Sequence, residues 1–401
     1  MKRVYDALIK QHLSQETEML FLAGPRQVGK TTASEKISDY FDVFQYISWD
    51  NENHRELILQ GPRKVAEAFF SVLSHEKPVL VFDEIHKHPE WKSFIKGFYD
   101  TYGKKIQIVV TGSARLNVYQ KGGDSLMGRY FLYRMCPLSV AECATSKLPT
   151  QPVRQPSPID DEDYWALYQH GGFPKPFLKR SNQYSLRWQR LRKQQLVKED
   201  IRDVNLIHDI NRLDILAETL RHESASAITY SRLAKHIRAS VDTVKRWIEI
   251  LEAFYYCYRI QPWSRNVPRS LIKEPKVFLW DWSLVTDIGA RSENFVATHL
   301  LKAVYFWSDI GLGEFRLHYI RTLEKEEVDF LIVKNDEPWL LVEVKHQNNS
   351  PISQSLRDFQ KQLGAPHAFQ VVIDMPYVDQ DCFSINEPVI VPAKTFLSQL
   401  I

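Results

Sequence analysis

The chain has 401 residues, 44% of them hydrophobic and 25% charged, and a net charge of +3. At roughly 100–200 residues per domain this is a globular chain of several domains, and the composition excludes a disordered or fibrous protein. Four cysteines with no Cys-x-x-Cys spacing supply neither a disulfide framework nor a zinc site, the N-terminus lacks a signal-peptide pattern, and no run of ~18 apolar residues predicts a membrane span. A reducing cytoplasm and no membrane partner are expected.

Residues 1–16 read as a short helix. "MLFLAG" (19–24), "VFQYISW" (43–49), "PVLVFDE" (78–84) and "IQIVVTGS" (106–113) are short apolar runs rich in β-branched and aromatic residues. Helix-like stretches separate them, so an α/β unit with a parallel sheet buried on both faces is predicted. "GRYFLYRMCPL" (128–138) adds a fifth strand. "LPTQPVRQPSPIDDED" (148–163) is a proline-rich linker or surface loop. The stretch from Tyr164 to about Ser224 is helical and basic. A different unit starts near Ile228, and strands alternate with helices again from about Leu271.

"GPRQVGKT" (24–31) fits G-x-x-x-x-G-K-[ST] between a strand and a helix-forming stretch. Glycines let the backbone wrap phosphates with its N–H groups turned inward. Gly24, Pro25, Gln27, Val28, Gly29, Lys30, Thr31 and Thr32 are therefore candidates for binding ATP. Lys30 would reach the β- and γ-phosphates, and Thr31 would offer its hydroxyl to Mg²⁺. Asp83 and Glu84 close the apolar strand "VLVFDE". Asp83 would hold Mg²⁺ and Glu84 would polarise the attacking water. Ser113, at the end of the next strand, is placed to sense the γ-phosphate. Arg115 and Arg129 are candidates for completing a neighbouring subunit's site. The "HKH" of residues 86–88 is expected to face solvent.

Residues 175–203 hold nine Lys/Arg against three Asp/Glu, and residues 225–269 hold eight against three. Such segments are phosphate-facing surface or plain solvated helix faces. Within the second, Leu233, Ala234, Ile237, Val241, Val244, Trp247, Ile248 and Leu251 recur at helical spacing across two helices. "YYCYRIQPW" (255–263) follows as wing strands. This is the pattern of a winged helix-turn-helix, with Thr243, Lys245 and Arg246 on polar positions of the second helix.

"PWLLVEVKHQ" (338–347) is an apolar strand interrupted by Glu343 and Lys345. Alternation puts both charges on one face. "EEVDFLIV" (326–333) is a second strand, and "KNDEP" (334–338) a polar turn, so a hairpin brings Asp329 beside Glu343.

Taken together, "AGPRQVGKTT", "VLVFDEIHK", "VVTGSAR", "LMGRYFLYRMCPLSVAE", "GGFP" (171–174), the winged-helix segment and "EEVDFLIV…LLVEVKH" resemble a widespread prokaryotic family of AAA+-superfamily ATPases. The resemblance covers the whole chain. It implies a P-loop AAA+ parallel-sheet core (1–147), a linker and helical lid (148–225), a winged helix (226–269) and a C-terminal restriction-endonuclease-like α/β domain (270–401). That last domain is related to the PD-(D/E)XK nuclease fold. Asp329 and Glu343 would hold Mg²⁺ there, with the Val344 carbonyl contributing, and Lys345 would orient or deprotonate water. Glu293 and Gln360 would support the same site. Val328 stands where the motif's proline would be. The expected function is an ATP-hydrolysing, oligomeric protein acting on DNA, with a metal-dependent nuclease domain. The alternative is a nucleotide-driven assembly or signalling switch whose C-terminal domain is a catalytically inactive protein- or DNA-binding module.

Overall fold

The computed structural model describes residues 1–69, 77–112, 126–197, 201, 209–264, 274–322 and 326–401. The chain divides into two compact units. The first is 1–136 with 146–148; the second is 137–145 with 149–401.

The first unit runs α1 (Val4–Gln15), β1 (Met19–Ala23), α2 (Lys30–Glu35), β2 (Phe44–Ser48), α3 (Glu52–Leu59), α4 (Pro62–Phe69), β3 (Val79–Asp83), α5 (Trp91–Tyr102), β4 (Gln107–Gly112) and β5 (Tyr130–Arg134). The strands form one parallel sheet in the order β2-β3-β4-β1-β5. Every residue of β1, β3 and β4 is buried, whereas the edge strands β2 and β5 are largely half-exposed. This is why the three central strands are continuous apolar runs. Phe82 packs edge-on against Phe94 and Phe98, with centroids 5.7 and 5.3 Å away. Because β4 lies between β1 and β3, residues 23–24 and Asp83 emerge at the same end of the sheet. Ala23 pairs with Gly112 and Asp83 with Thr111. The carboxyl ends of parallel strands are where such sheets take ligands.

The second unit begins with α6 (Val140–Ala144), α7 (Asp161–His170), α8 (Pro174–Lys179), α9 (Asn182–Gln195), α10 (Ile210–His222), α11 (Tyr230–Ile237) and α12 (Val241–Ala253). It continues β6 (Cys257–Pro262), β7 (Lys276–Leu279), α13 (Ile288–Asp309), β8 (Phe315–Arg321), β9 (Glu327–Lys334), β10 (Glu337–Lys345), α14 (Gln354–Leu363), β11 (His367–Val372), β12 (Val389–Pro392) and α15 (Ala393–Ser398). Its sheet has the order β12-β11-β10-β9-β8-β6-β7. The β9–β10 hairpin turns at Asn335 and Asp336, whose φ values are 49° and 67°. A two-residue turn with both residues left-handed matches the strand twist, and Asn and Asp tolerate that conformation better than most.

The wing strands expected at 255–263 are not a separate appendage. β6 pairs with β7 on one side and β8 on the other, inside the same sheet as β9 and β10. Leu213, Leu216 and Leu220 of α10, Ile237 of α11 and Trp247, Ile248 and Leu251 of α12 pack on Val277 and Leu279 of β7. The boundary expected between residues 269 and 270 lies outside the described residues.

Most of the 22-residue α13 is buried, and its one interior ammonium, Lys302, is compensated. The Nζ donates to the Pro137 carbonyl at 3.0 Å, to Ser139 Oγ at 2.9 Å and to the Glu142 carboxylate. Among the described residues no helix is long and apolar enough to cross a membrane.

Candidate functional site

In the first unit, β1 ends at Ala23 and the chain loops back into α2. Gln27 and Gly29 hold φ of 65° and 109°. Gly24 has no room for a side chain, since a Cβ there would stand 2.3 Å from the Met135 carbonyl oxygen. The loop thus lies directly on the chain leaving β5, and left-handed residues in such a loop allow N–H groups to converge on an anion.

Lys30 is only 7% exposed. Its Nζ donates to the carbonyls of Gly24 at 2.8 Å and Pro25 at 2.9 Å. Both acceptors are neutral. Burial lowers the ammonium to a pKa of about 8, although Glu84 and Asp83 act in the opposite direction. A charged lysine held this way gains from an incoming phosphate.

Asp83 is buried and accepts a hydrogen bond from the Thr111 hydroxyl. Burial raises its pKa, and the Thr111 bond works against that rise. Tyr46, on β2, interacts with both Asp83 and Thr31, and its burial together with Asp83 pushes the phenol well up. It neighbours both residues expected to hold Mg²⁺, an exposed hydroxyl and a buried carboxylate, and hard oxygen donors of this kind are what that ion takes. Tyr46 was not legible as a site residue, because it is one of several aromatics in an edge strand.

Glu84 sits at φ 55°, ψ 20°, a left-handed conformation rare for a residue with a side chain. Its N–H donates to the Thr111 carbonyl at 3.0 Å. Its Oε2 lies 3.5 Å from Lys87 Nζ and 3.6 Å from His86 Nε2. Unusual backbone geometry of this kind concentrates at functional sites. His86 is buried and His88 stacks on Trp49 at 5.0 Å, so the "HKH" run does not face solvent as expected. The short turn at Ile85–Lys87 folds it inward.

A contact not foreseen comes from α1. Arg3 is 6% exposed and donates from Nη1 to the Val28 carbonyl at 2.9 Å and from Nη2 to the Cys136 carbonyl at 2.7 Å. Tyr5 donates from its hydroxyl to the Arg134 carbonyl at 2.8 Å and accepts from the Cys136 N–H at 3.1 Å. The first helix thus clamps the phosphate loop to the end of β5. Thr31 and Thr32 are exposed at the mouth of the loop. Ser113 and Arg115 lie outside the described residues. The Arg129 guanidinium donates to the Asp100 carboxylate at 2.7 and 3.2 Å.

In the second unit the β9–β10 hairpin brings Asp329, Glu343 and Lys345 together. Lys345 Nζ is 2.8 Å from Glu343 Oε1, as same-face placement requires. Asp329 Oδ2 accepts from the Val344 N–H at 2.9 Å. The other oxygen of Glu343 accepts from Ser353, the N-cap of α14. Lys276, from β7, enters the same cluster. Lys276 Nζ lies 2.8 Å from Glu293, 2.5 Å from Glu327 and 3.8 Å from Asp329. Burial and Asp329 raise the Glu293 carboxyl to about 8, burial raises Asp329, and the surrounding carboxylates raise Lys276. Gln370 pairs in register with Glu343 and is fully buried. Gln360 does not support the site: it donates to the carbonyls of Ala365 and Asn386 at 3.1 and 2.8 Å. Among the described residues no three His, Cys, Asp or Glu side chains are disposed to hold a metal.

Residues 16–144 match the AAA domain. The match supports nucleotide binding and hydrolysis by the first unit, in agreement with its parallel-sheet core. Residues 161–293 and 288–393 match two domains of unknown function, DUF8612 and DUF4143. Lys276 falls in the former match; Asp329, Glu343 and Lys345 fall in the latter. Uncharacterised proteins of Mycobacterium tuberculosis and Mycobacterium bovis are each 21% identical to this chain over 346 residues, 84% of this chain and 73% of theirs. A structure from work on katanin self-assembly is 15% identical with a TM-score of 0.24, over 38% of this chain and 52% of that one, a likeness too slight to carry fold or function.

Proposed function

We propose that the chain is an ATP-hydrolysing AAA-type protein that acts on DNA through its second unit. The observation that carries the hydrolytic part is Lys30, buried beneath the loop with only carbonyls as acceptors. It stands at the same sheet end as Asp83 and the strained Glu84. Water would attack the γ-phosphate of ATP, with Glu84 orienting that water and Lys30 holding phosphate oxygens. Thr31 and Asp83 would hold Mg²⁺, which supplies positive charge to the phosphates. Glu84→Gln should cut the turnover number by about 10²-fold or more while ATP binding survives. Turnover at the unaltered rate would remove this reading of Glu84.

The DNA part rests on α11 and α12. Lys235, Arg238, Lys245 and Arg246 are exposed there, while Arg232 pairs with Glu223 at 2.7 Å and Glu252 with Arg259 at 2.6 Å. The acids that would dilute a basic face are thereby reduced to Asp242 and Glu249. Together with the β6–β7 hairpin, these helices support a winged-helix reading. Phosphate contacts make binding fall steeply with salt. Binding of a fluorescent duplex should weaken about tenfold or more in Lys245→Glu/Arg246→Glu, with a shallower salt slope. Unchanged anisotropy in that variant would remove DNA as the partner of these helices.

A further inference from the structure

We propose that Lys276 is the resident cation of the C-terminal acidic cluster, holding by its ammonium the place where a nuclease of this type would hold a divalent metal. The inference takes from the nuclease-like reading only the expectation of a metal. Everything else rests on side-chain positions.

Lys276 opens β7 and is 3% exposed. Its backbone is fixed on two sides, by pairing with Ile260 of β6 and by a bridge to Ala227. The Nζ reaches Glu293 at 2.8 Å and Glu327 at 2.5 Å, and stands 3.8 Å from Asp329. The ring of Tyr319 closes another side, with its centroid 5.5 Å from the Nζ. An ammonium has three donors and no acceptor; Glu293 and Glu327 stand at hydrogen-bonding distance, and Asp329, at 3.8 Å, adds an electrostatic partner. Mg²⁺ would need oxygens at about 2.0–2.1 Å in near-octahedral array. An ion drawing on these oxygens would meet a fixed positive charge that has no route away.

The remaining acid is also committed. Glu343 gives one oxygen to Lys345 at 2.8 Å and the other to Ser353. Asp329 gives one oxygen to the Val344 N–H at 2.9 Å. Each of the four carboxylates, Glu293, Glu327, Asp329 and Glu343, thus faces a cation of the chain itself: Lys276, Lys345 or Arg321, whose Nε lies 3.6 Å from Glu327. The consequence is a nuclease-like domain that grips and does not cut.

The test uses the full chain without nucleotide. Bound Mn²⁺ is measured by electron paramagnetic resonance for the unaltered protein, Asp329→Asn, Lys276→Met and Lys276→Met/Asp329→Asn. The unaltered protein and Asp329→Asn should bind the same amount. Lys276→Met should take up one further Mn²⁺, lost again in the double variant, and its melting temperature should rise with Mn²⁺. A Mn²⁺ ion bound by the unaltered protein and lost in Asp329→Asn would overturn the proposal. So would a folded Lys276→Met with no additional ion. If Lys276→Met does not fold, the comparison of the unaltered protein with Asp329→Asn decides alone. Duplex binding in EDTA is a separate measurement. Absence of DNA binding under every condition would end the DNA reading and leave the Mn²⁺ result standing.

Discussion

Two buried lysines, one in each unit, are in opposite states. Lys30 sits under a phosphate loop with two neutral carbonyls as acceptors, and burial lowers it to about 8. Lys276 sits among three carboxylates, and they raise it. Depth does not separate them, as they are 7% and 3% exposed. What separates them is whether the fold supplies the counter-charge. The first site is built to gain an anion from outside. The second has its anions already, together with an ammonium that pairs with them.

The sharpest way to break this contrast is to remove each ammonium and measure stability in urea. Lys276→Ala should cost about 3–5 kcal/mol, since it leaves buried carboxylates without their partner. Lys30→Met should cost nothing or stabilise, because the group removed was buried without an anionic hydrogen-bond partner. Equal losses in both would erase the distinction.

The next effect is on pH. The ammonium form of Lys30 is the one that binds phosphate, and its pKa in the fold, about 8, lies below the ordinary 10.5. ATP affinity should therefore be flat below pH 8 and weaken by up to about tenfold per unit above it. In the free protein the sign is reversed. Between about 8 and 10.5 the unfolded chain binds the extra proton, so stability from this group rises across that window. An ATP dissociation constant that does not change between pH 7 and 9 would show that Lys30 is not the titrating contact.

A smaller effect is expected at the clamp. Arg3→Ala removes two hydrogen bonds from a buried guanidinium and frees the Val28 carbonyl. It should cost about 1–3 kcal/mol and raise KM for ATP severalfold with less change in kcat. The smallest effect belongs to Lys345, whose side chain is 37% exposed. Lys345→Ala should cost under about 1 kcal/mol, since a partly solvated pair contributes little. A large loss there would mean that Lys345, not Lys276, neutralises the cluster.

The phosphate loop and its acidic strand were legible because chemistry and periodicity coincide there: β1 and β3 are unbroken apolar runs that end in the residues the site uses. The β9–β10 hairpin was legible for the same reason, with charges at alternate positions and Asn-Asp between the strands. Lys276 was not. One lysine at the head of a four-residue strand carries no periodic signal, and its partners lie 17 to 53 positions further along the chain. Arg3 was missed likewise, since its acceptors are backbone carbonyls, which have no letter in the sequence. Gln360 was expected at the acidic site because it lies on the adjoining helix. Its actual bonds hold that helix to Ala365 and Asn386, and Gln370, one strand further, is the amide beside Glu343.

β7 is four residues long, yet it serves two neighbourhoods. Val277 and Leu279 are floor for α10–α12, while Lys276 reaches into the acids. A tilt of those helices would pass along this strand as along a lever, and its far end is an ammonium. The helices and the acids are thus joined by one short rod of backbone.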